Sequence, residues 1–189
     1  MTDVPPISRF PVPDLDELPD DVRERIETET EQAGFTPNVF LAYAYRPAQF
    51  RAFFDYYDAL VEESDLSATE IEMIIVAVSG VNDCYYCIVA HGALLRLYSE
   101  DPLLADQISS NYRNADISER HRAMLDLAVA LTESQARVEQ EDLEALEEHG
   151  FSREQIWDIG AVAAFFNLSN RMAHLADMRP NEEFHTIGR

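Results

Sequence analysis

The stretch Ser67-Ala-Thr-Glu70-Ile-Glu72-Met-Ile-Ile-Val-Ala-Val-Ser-Gly-Val-Asn82-Asp83-Cys84-Tyr85-Tyr86-Cys87-Ile-Val-Ala-His91 sets out two consecutive helices. Ser67-x-x-Glu70 is a capping box: the hydroxyl accepts the backbone N–H three residues on, and the carboxylate reaches back, so a helix is expected from about Ala68. Ile71, Ile74, Ile75 and Val78 recur at helical spacing and define its buried face. It should end near Asn82-Asp83. Asp83, a favourable N-cap residue, is then expected to cap a second helix running to about Ser99. On that second helix Cys84 and Cys87 stand at i and i+3, and His91 follows Cys87 at i+4, so two thiols and an imidazole share one face.

The flanking segments repeat the helical pattern. Gly34 is a good stop for a first helix starting near Asp20. Thr36-Pro37 offers a cap and a first-turn proline for a short helix to about Tyr45, and Pro47 opens another to about Glu63. Phe50, Phe53, Phe54, Tyr57 and Leu60 form an aromatic stripe there, which reads as core packing and not as a cofactor box. Further capped helices are expected over Pro102 to about Tyr112, Ser118 to about Ser134 and Glu139 to His149. Ser152-x-x-Gln155 opens a long one to about Met178. The helix opened near Glu119 echoes the one opened near Glu70, but carries no second cysteine motif. No stretch alternates at period two between hairpin-turn signals, so the fold class is all-α, a single helical bundle. Residues 1–19 hold Pro5, Pro6, Pro11, Pro13 and Pro19 and read as an extended arm; residues 20–189 read as one all-helical domain.

The net charge of −22 comes from 36 acidic residues against 14 basic ones, and all 14 are arginine. Such a field repels phosphates, which disfavours nucleic acid and anionic lipid as partners. The acids are spread along the chain, a pattern suited to a salt-rich cytoplasm where self-repulsion is screened. With 47% hydrophobic residues the 189-residue chain is long enough for one well-buried core. No apolar run reaches the roughly 20 residues of a membrane span, so no membrane association and a cytoplasmic location are expected. In that compartment a lone Cys-x-x-Cys points to redox or metal chemistry ahead of a structural disulfide.

A helix start favours thiolate at Cys84, whereas Cys87 has the adjacent base, His91. Cys87 is therefore read as the attacking thiol and Cys84 as the resolving, reductant-facing one; the opposite order stays open. A carboxylate must back the imidazole, and Glu72 on the preceding helix is the candidate, with a surface role as its alternative. Tyr86 is placed either to donate to a peroxide oxygen or to pack. His121, His149, His174 and His185 lack ligand spacing and receive no role. Two other classes fit the same residues: a general dithiol oxidoreductase or redox sensor, and a zinc site made of Cys84, Cys87, His91 and Glu72. The zinc reading suffers from three ligands within two turns of one helix.

Glu72 through Cys84-Tyr85-Tyr86-Cys87 to His91 resembles the signature of the alkylhydroperoxidase AhpD-like group in the carboxymuconolactone decarboxylase superfamily. Gly34-Phe-Thr-Pro-Asn-Val-Phe40, Asn111-Tyr-Arg113 and Phe165-Phe-Asn167-Leu-Ser-Asn170-Arg171 resemble its branch of peroxidase-related enzymes. The resemblance implies an all-helical antioxidant enzyme that forms homo-oligomers and uses no haem or flavin cofactor. It implies Glu72 as relay base, His91 as the residue activating Cys87, and Cys84 as the disulfide partner. Its substrates would be a hydroperoxide and an external dithiol or thioredoxin-like reductant. One position differs: the best-known members carry a histidine where this chain has Tyr86. The decarboxylase branch lacks the dithiol, which disfavours lactone decarboxylation here.

Overall fold

The computed structural model describes residues 6–133 and 138–189. Among these, the chain is helical throughout with no strand. Its helices are α1 (Asp20–Ala33), α2 (Asn38–Ala44), α3 (Pro47–Glu62), α4 (Ala68–Val81), α5 (Tyr85–Ser99), α6 (Leu104–Asn111), α7 (Glu119–Glu133), α8 (Gln140–Glu148) and α9 (Arg153–Ala176). The all-α fold and nearly every helix expected from the sequence are present. Pro5 and Ser134, which the sequence places in the arm and at the end of α7, lie outside the described residues.

Local chemistry explains most of the boundaries. Gly34 closes α1 with φ of 79°, a left-handed conformation that costs glycine little. The capping box at Ser67 and Glu70 opens α4, and a second, at Ser152 and Gln155, opens α9. A third joins Glu139 and Asp142 at α8.

Two expected caps are corrected. Thr36 does not cap α2; Pro37 holds the N-cap position, and the Thr36 hydroxyl is hydrogen-bonded to that of Thr30 at 2.8 Å. The first-turn amides of α2 are satisfied from far away in sequence: Asn38 N–H donates to Asn181 Oδ1 at 2.8 Å, and Val39 N–H to the Tyr86 hydroxyl at 3.1 Å. Nor does Asp83 cap α5. Asp83 has φ of 52°, and its N–H donates to Gly80 O while Cys84 N–H donates to Ser79 O at 2.9 Å. These two bonds form a Schellman motif that ends α4, which takes Asp83 out of the extended conformation an N-cap needs. The cap therefore passes to Cys84, at φ −81° and ψ 93°.

Helix α4 is the hub, buried from Glu70 to Ser79 and packed against α5, α6, α7 and α9. Its crossing with α6 is close enough that a Cβ on Gly80 would stand 2.6 Å from Ser109 O, so this position must lack a side chain. A main core surrounds α4, α7 and α9, and two smaller clusters flank it. One holds both cysteines with Tyr86, Ala173 and Phe184; the other holds Phe40, Phe50 and Phe54. Residues 6–14 lie over the body, where Arg9 N–H donates to Ala176 O and Arg179 N–H to Ile7 O. The arm is not extended throughout, since Leu15–Glu17 forms one 3-10 turn. Among the described residues no helix is long and apolar enough to cross a membrane.

Candidate active site

The Schellman turn fixes where the sulfurs stand. Because Cys84 ends one helix motif and begins the next, α4 and α5 form a tight hairpin that turns Glu72 back alongside His91. Glu72 Oε2 and His91 Nδ1 are 2.8 Å apart. Glu72 is 3% exposed, so the carboxylate is a buried partner of the imidazole and not a surface group. Phe166 packs edge-on to the imidazole at 4.8 Å between centroids and holds the ring plane. With Nδ1 committed to the carboxylate, Nε2 is the nitrogen left for chemistry.

His91 and Cys87 line one cavity of about 200 Å³. Its wall is largely aromatic and aliphatic: Phe40, Phe53, Phe54, Tyr57, Leu94, Phe165, Phe166 and Phe184, with Ser169 and Tyr86 among the polar members. Cys84 is not part of that wall. Both thiols are reduced and buried, Cys84 at 1% and Cys87 at 2% exposure. Neither sulfur is open to solvent, so exposure does not separate the resolving, reductant-facing role read for Cys84 from that of Cys87.

The two thiols ionise as a pair. Cys84 is held at about 7, below an ordinary thiol, chiefly by a hydrogen bond with the Cys87 thiol; burial opposes this, while the Cys87 backbone N–H, the nearby charge of His174 and Asn170 assist. Cys87 is pushed well above the ordinary range by the same bond with Cys84, by burial and by the Cys84 charge, against weaker help from Asn170 and Ser169. The pair is therefore best described as a Cys84 thiolate accepting from a Cys87 thiol.

Tyr86 has a structural task, since its hydroxyl accepts the Val39 N–H and pins the start of α2 over the cavity. Four residues that the sequence reading left without a role surround the dithiol from α9 and α2: Ser169, Asn170, His174 and Tyr43. Asn170 is 0% exposed, a buried amide on a largely apolar helix face, and the sequence marked it only through the segment Phe165 to Arg171 that resembles the peroxidase-related branch. His121, His149 and His185 stay away from the sulfurs. Among the described residues no group of three or more His, Cys, Asp or Glu side chains is arranged to hold a metal ion, which leaves the zinc reading without a ligand set.

Comparison with known proteins now bears on this geometry. An uncharacterized peroxidase-related protein from Ralstonia eutropha JMP134, described as an alkylhydroperoxidase AhpD core, is 55% identical over 98% of both chains, with a TM-score of 0.97. The family model of the carboxymuconolactone decarboxylase family matches residues 47–102. The chain belongs to the AhpD-like carboxymuconolactone decarboxylase superfamily. A peroxidase-related protein from Silicibacter sp. TM1040 is 43% identical over 100% of both chains, with a TM-score of 0.93. A protein of unknown function from Agrobacterium tumefaciens shares the fold at 23% identity and a TM-score of 0.64, covering 74% of this chain and 94% of its own. No curated protein matches the chain. The carboxymuconolactone decarboxylase family match spans α3 to the turn after α5, and so contains Glu72, both cysteines and His91.

Proposed function

We propose that this protein is a thiol-dependent peroxidase that reduces organic hydroperoxides through Cys84 and Cys87. The observation that carries the proposal is that Cys87 and the Glu72-bound His91 line the same aromatic cavity. A thiol pushed well above the ordinary range does not ionise unaided, and His91 is the base that shares its cavity. Glu72 holds the imidazole by Nδ1 and stabilises it once charged.

His91 takes the Cys87 proton, and the thiolate attacks the terminal oxygen of the hydroperoxide. The S–O bond forms, the O–O bond breaks, and the leaving alkoxide takes the proton from His91, giving alcohol and a Cys87 sulfenic acid. The Cys84 thiolate then attacks Cys87 Sγ, forming the disulfide and expelling hydroxide, which balances the proton Cys84 had already lost to solvent. An external dithiol or thioredoxin-like reductant restores both thiols by exchange. The wall of Phe40, Phe54, Phe165 and Phe166 supports an organic substrate over hydrogen peroxide. Peroxide consumption supplied with dithiothreitol tests the reading: Cys87→Ser should abolish turnover, and retained turnover would refute it.

A second reading, a general dithiol oxidoreductase, is favoured by the acidity of Cys84, the first cysteine of the motif. Exchange with a disulfide-bonded test protein, without any peroxide consumption, would select it.

A further inference from the structure

Arg96, in the last turn of α5, is 4% exposed, so a permanently charged guanidinium is buried under residues 184–188. Its Nε donates to the Ile187 carbonyl and its Nη2 to the Phe184 carbonyl, both at 2.8 Å. Gly188, at φ 71°, lies so close to the arginine stem that a Cβ there would stand 2.7 Å from Arg96 Cβ. Two carbonyls satisfy hydrogen bonds but bring no counter-charge. Among the described residues no carboxylate pairs with Arg96, in a chain that has 36 acidic residues. A buried charge is costly to keep without an ion of opposite sign.

Arg96 faces a cleft of about 60 Å³ whose polar wall is Arg96, Asp106, Ser109, His185 and Arg189. Asp106 is already engaged there: its two carboxylate oxygens accept from Arg189 Nη1 at 3.0 Å and Nη2 at 2.9 Å. The cleft therefore sets two guanidinium groups against one side-chain carboxylate, and the uncompensated one is the buried one. Burial and the like charge of Arg189 both work against the charged form of Arg96, with Asp106 opposing them. Arg96 Nη1 hydrogen-bonds to none of the described residues and is not sealed in the core, which leaves its N–H groups open to the cleft.

We propose that this cleft is a binding site for a small monovalent anion, chloride, held between the Arg96 and Arg189 guanidinium groups. A water takes about 30 Å³ of the liquid, so the cleft has room for a monatomic anion and a water of its shell, and none for a long organic anion. The anion supplies the charge that the Phe184 and Ile187 carbonyls lack and so fastens residues 184–187 to α5. Phe184 also lines the reaction cavity with Cys87, which places the anion behind one wall of that cavity. The proposal does not depend on the peroxidase reading. Screening of the acidic surface is a response to salt of any kind, whereas this site answers to chloride alone.

The test compares thermal unfolding in sodium chloride and in sodium gluconate at equal concentration, so that screening is matched. The midpoint in chloride should be higher by about 3–5 °C, the shift expected when the anion stands at about ten times its dissociation constant. Arg96→Gln keeps a donor for the carbonyls and removes the charge, and it should lose that increment. Arg171→Gln alters an exposed arginine bonded to Asn167 and should keep it. Where Arg96→Gln does not fold, crystals of the parent grown in bromide decide, by an anomalous peak within hydrogen-bond distance of Arg96 Nη1. Equal midpoints in the two salts, an increment retained in Arg96→Gln, or a cleft without the bromide peak would overturn the proposal. An increment that sulfate gives and chloride does not would overturn it too, in favour of an oxyanion.

Discussion

Glu72 and His91 meet across the α4–α5 hairpin at 2.8 Å, with the carboxylate buried and the imidazole edge open to the cavity. A buried carboxylate in that position orients the ring and stabilises the imidazolium formed when Cys87 gives up its proton. Glu72→Gln keeps an acceptor but removes the charge. Peroxide turnover with dithiothreitol should fall by about 100-fold, with circular dichroism unchanged, which is at the lower end of general acid–base contributions. An unaltered rate in a folded variant would remove Glu72 from the mechanism.

The two cysteine variants should fail differently. In Cys84→Ser, one equivalent of hydroperoxide should convert Cys87 to sulfenic acid, captured by dimedone and located by mass spectrometry. In Cys87→Ser, no dimedone adduct should form at Cys84. Adducts at Cys84 alone would reverse the order of attack.

The acidity of Cys84 carries a pH dependence. An ordinary thiol titrates near 9, and Cys84 is held at about 7 by its bond with Cys87. A depressed pKa stabilises the reduced fold in full above the unfolded value, and that contribution is lost as pH falls through about 7. The reduced protein should therefore be more stable at pH 9 than at pH 6 by a margin that Cys84→Ser loses. Denaturant unfolding of both proteins at the two pH values provides the comparison.

The apolar wall predicts how substrates rank. Each methylene removed from water contributes about 0.8 kcal/mol, or roughly fourfold in affinity. Cumene hydroperoxide should therefore have a lower KM than tert-butyl hydroperoxide, and both lower than hydrogen peroxide. Comparable KM values across the three would show that the cavity does not hold the organic group.

The contact between α4 and α6 can be tested through Gly80. A Cβ there would meet the Ser109 carbonyl oxygen at 2.6 Å, and backbone cannot swing aside as a flexible side chain does. Gly80→Ala should cost about 1–3 kcal/mol, read as a fall in thermal midpoint, despite the better helix propensity of alanine.

The helices were legible because their signals are local. Ser67 with Glu70, Ser152 with Gln155, and Gly34 each act within a few residues, and each helix end falls where those residues put it. Where a distant partner intervenes, local signals mislead. Thr36 lost its cap to Asn181 and Tyr86, and Asp83 lost its own to a Schellman turn that needs only one residue of left-handed backbone. At the site, Glu72, Cys84, Cys87 and His91 could be read together because one hairpin carries them. Asn170 could not, since its partner Ser79 lies 91 residues away and only helix packing brings them together.

That hairpin gives the protein a division of labour. The segment from Glu72 to His91 carries both sulfurs, the base and its carboxylate on two helices joined by a single Schellman turn, so their mutual distances owe little to the remainder of the chain. The later helix α9 supplies Phe165, Phe166 and Ser169, which shape the cavity, and Asn170, which braces Ser79 at the end of α4. Descendants of such a chain are free to rewrite α9 and acquire new substrates or a new redox poise while inheriting the reactive hairpin intact. For engineering, the hairpin is the part to leave alone, and α9 is the part to randomise.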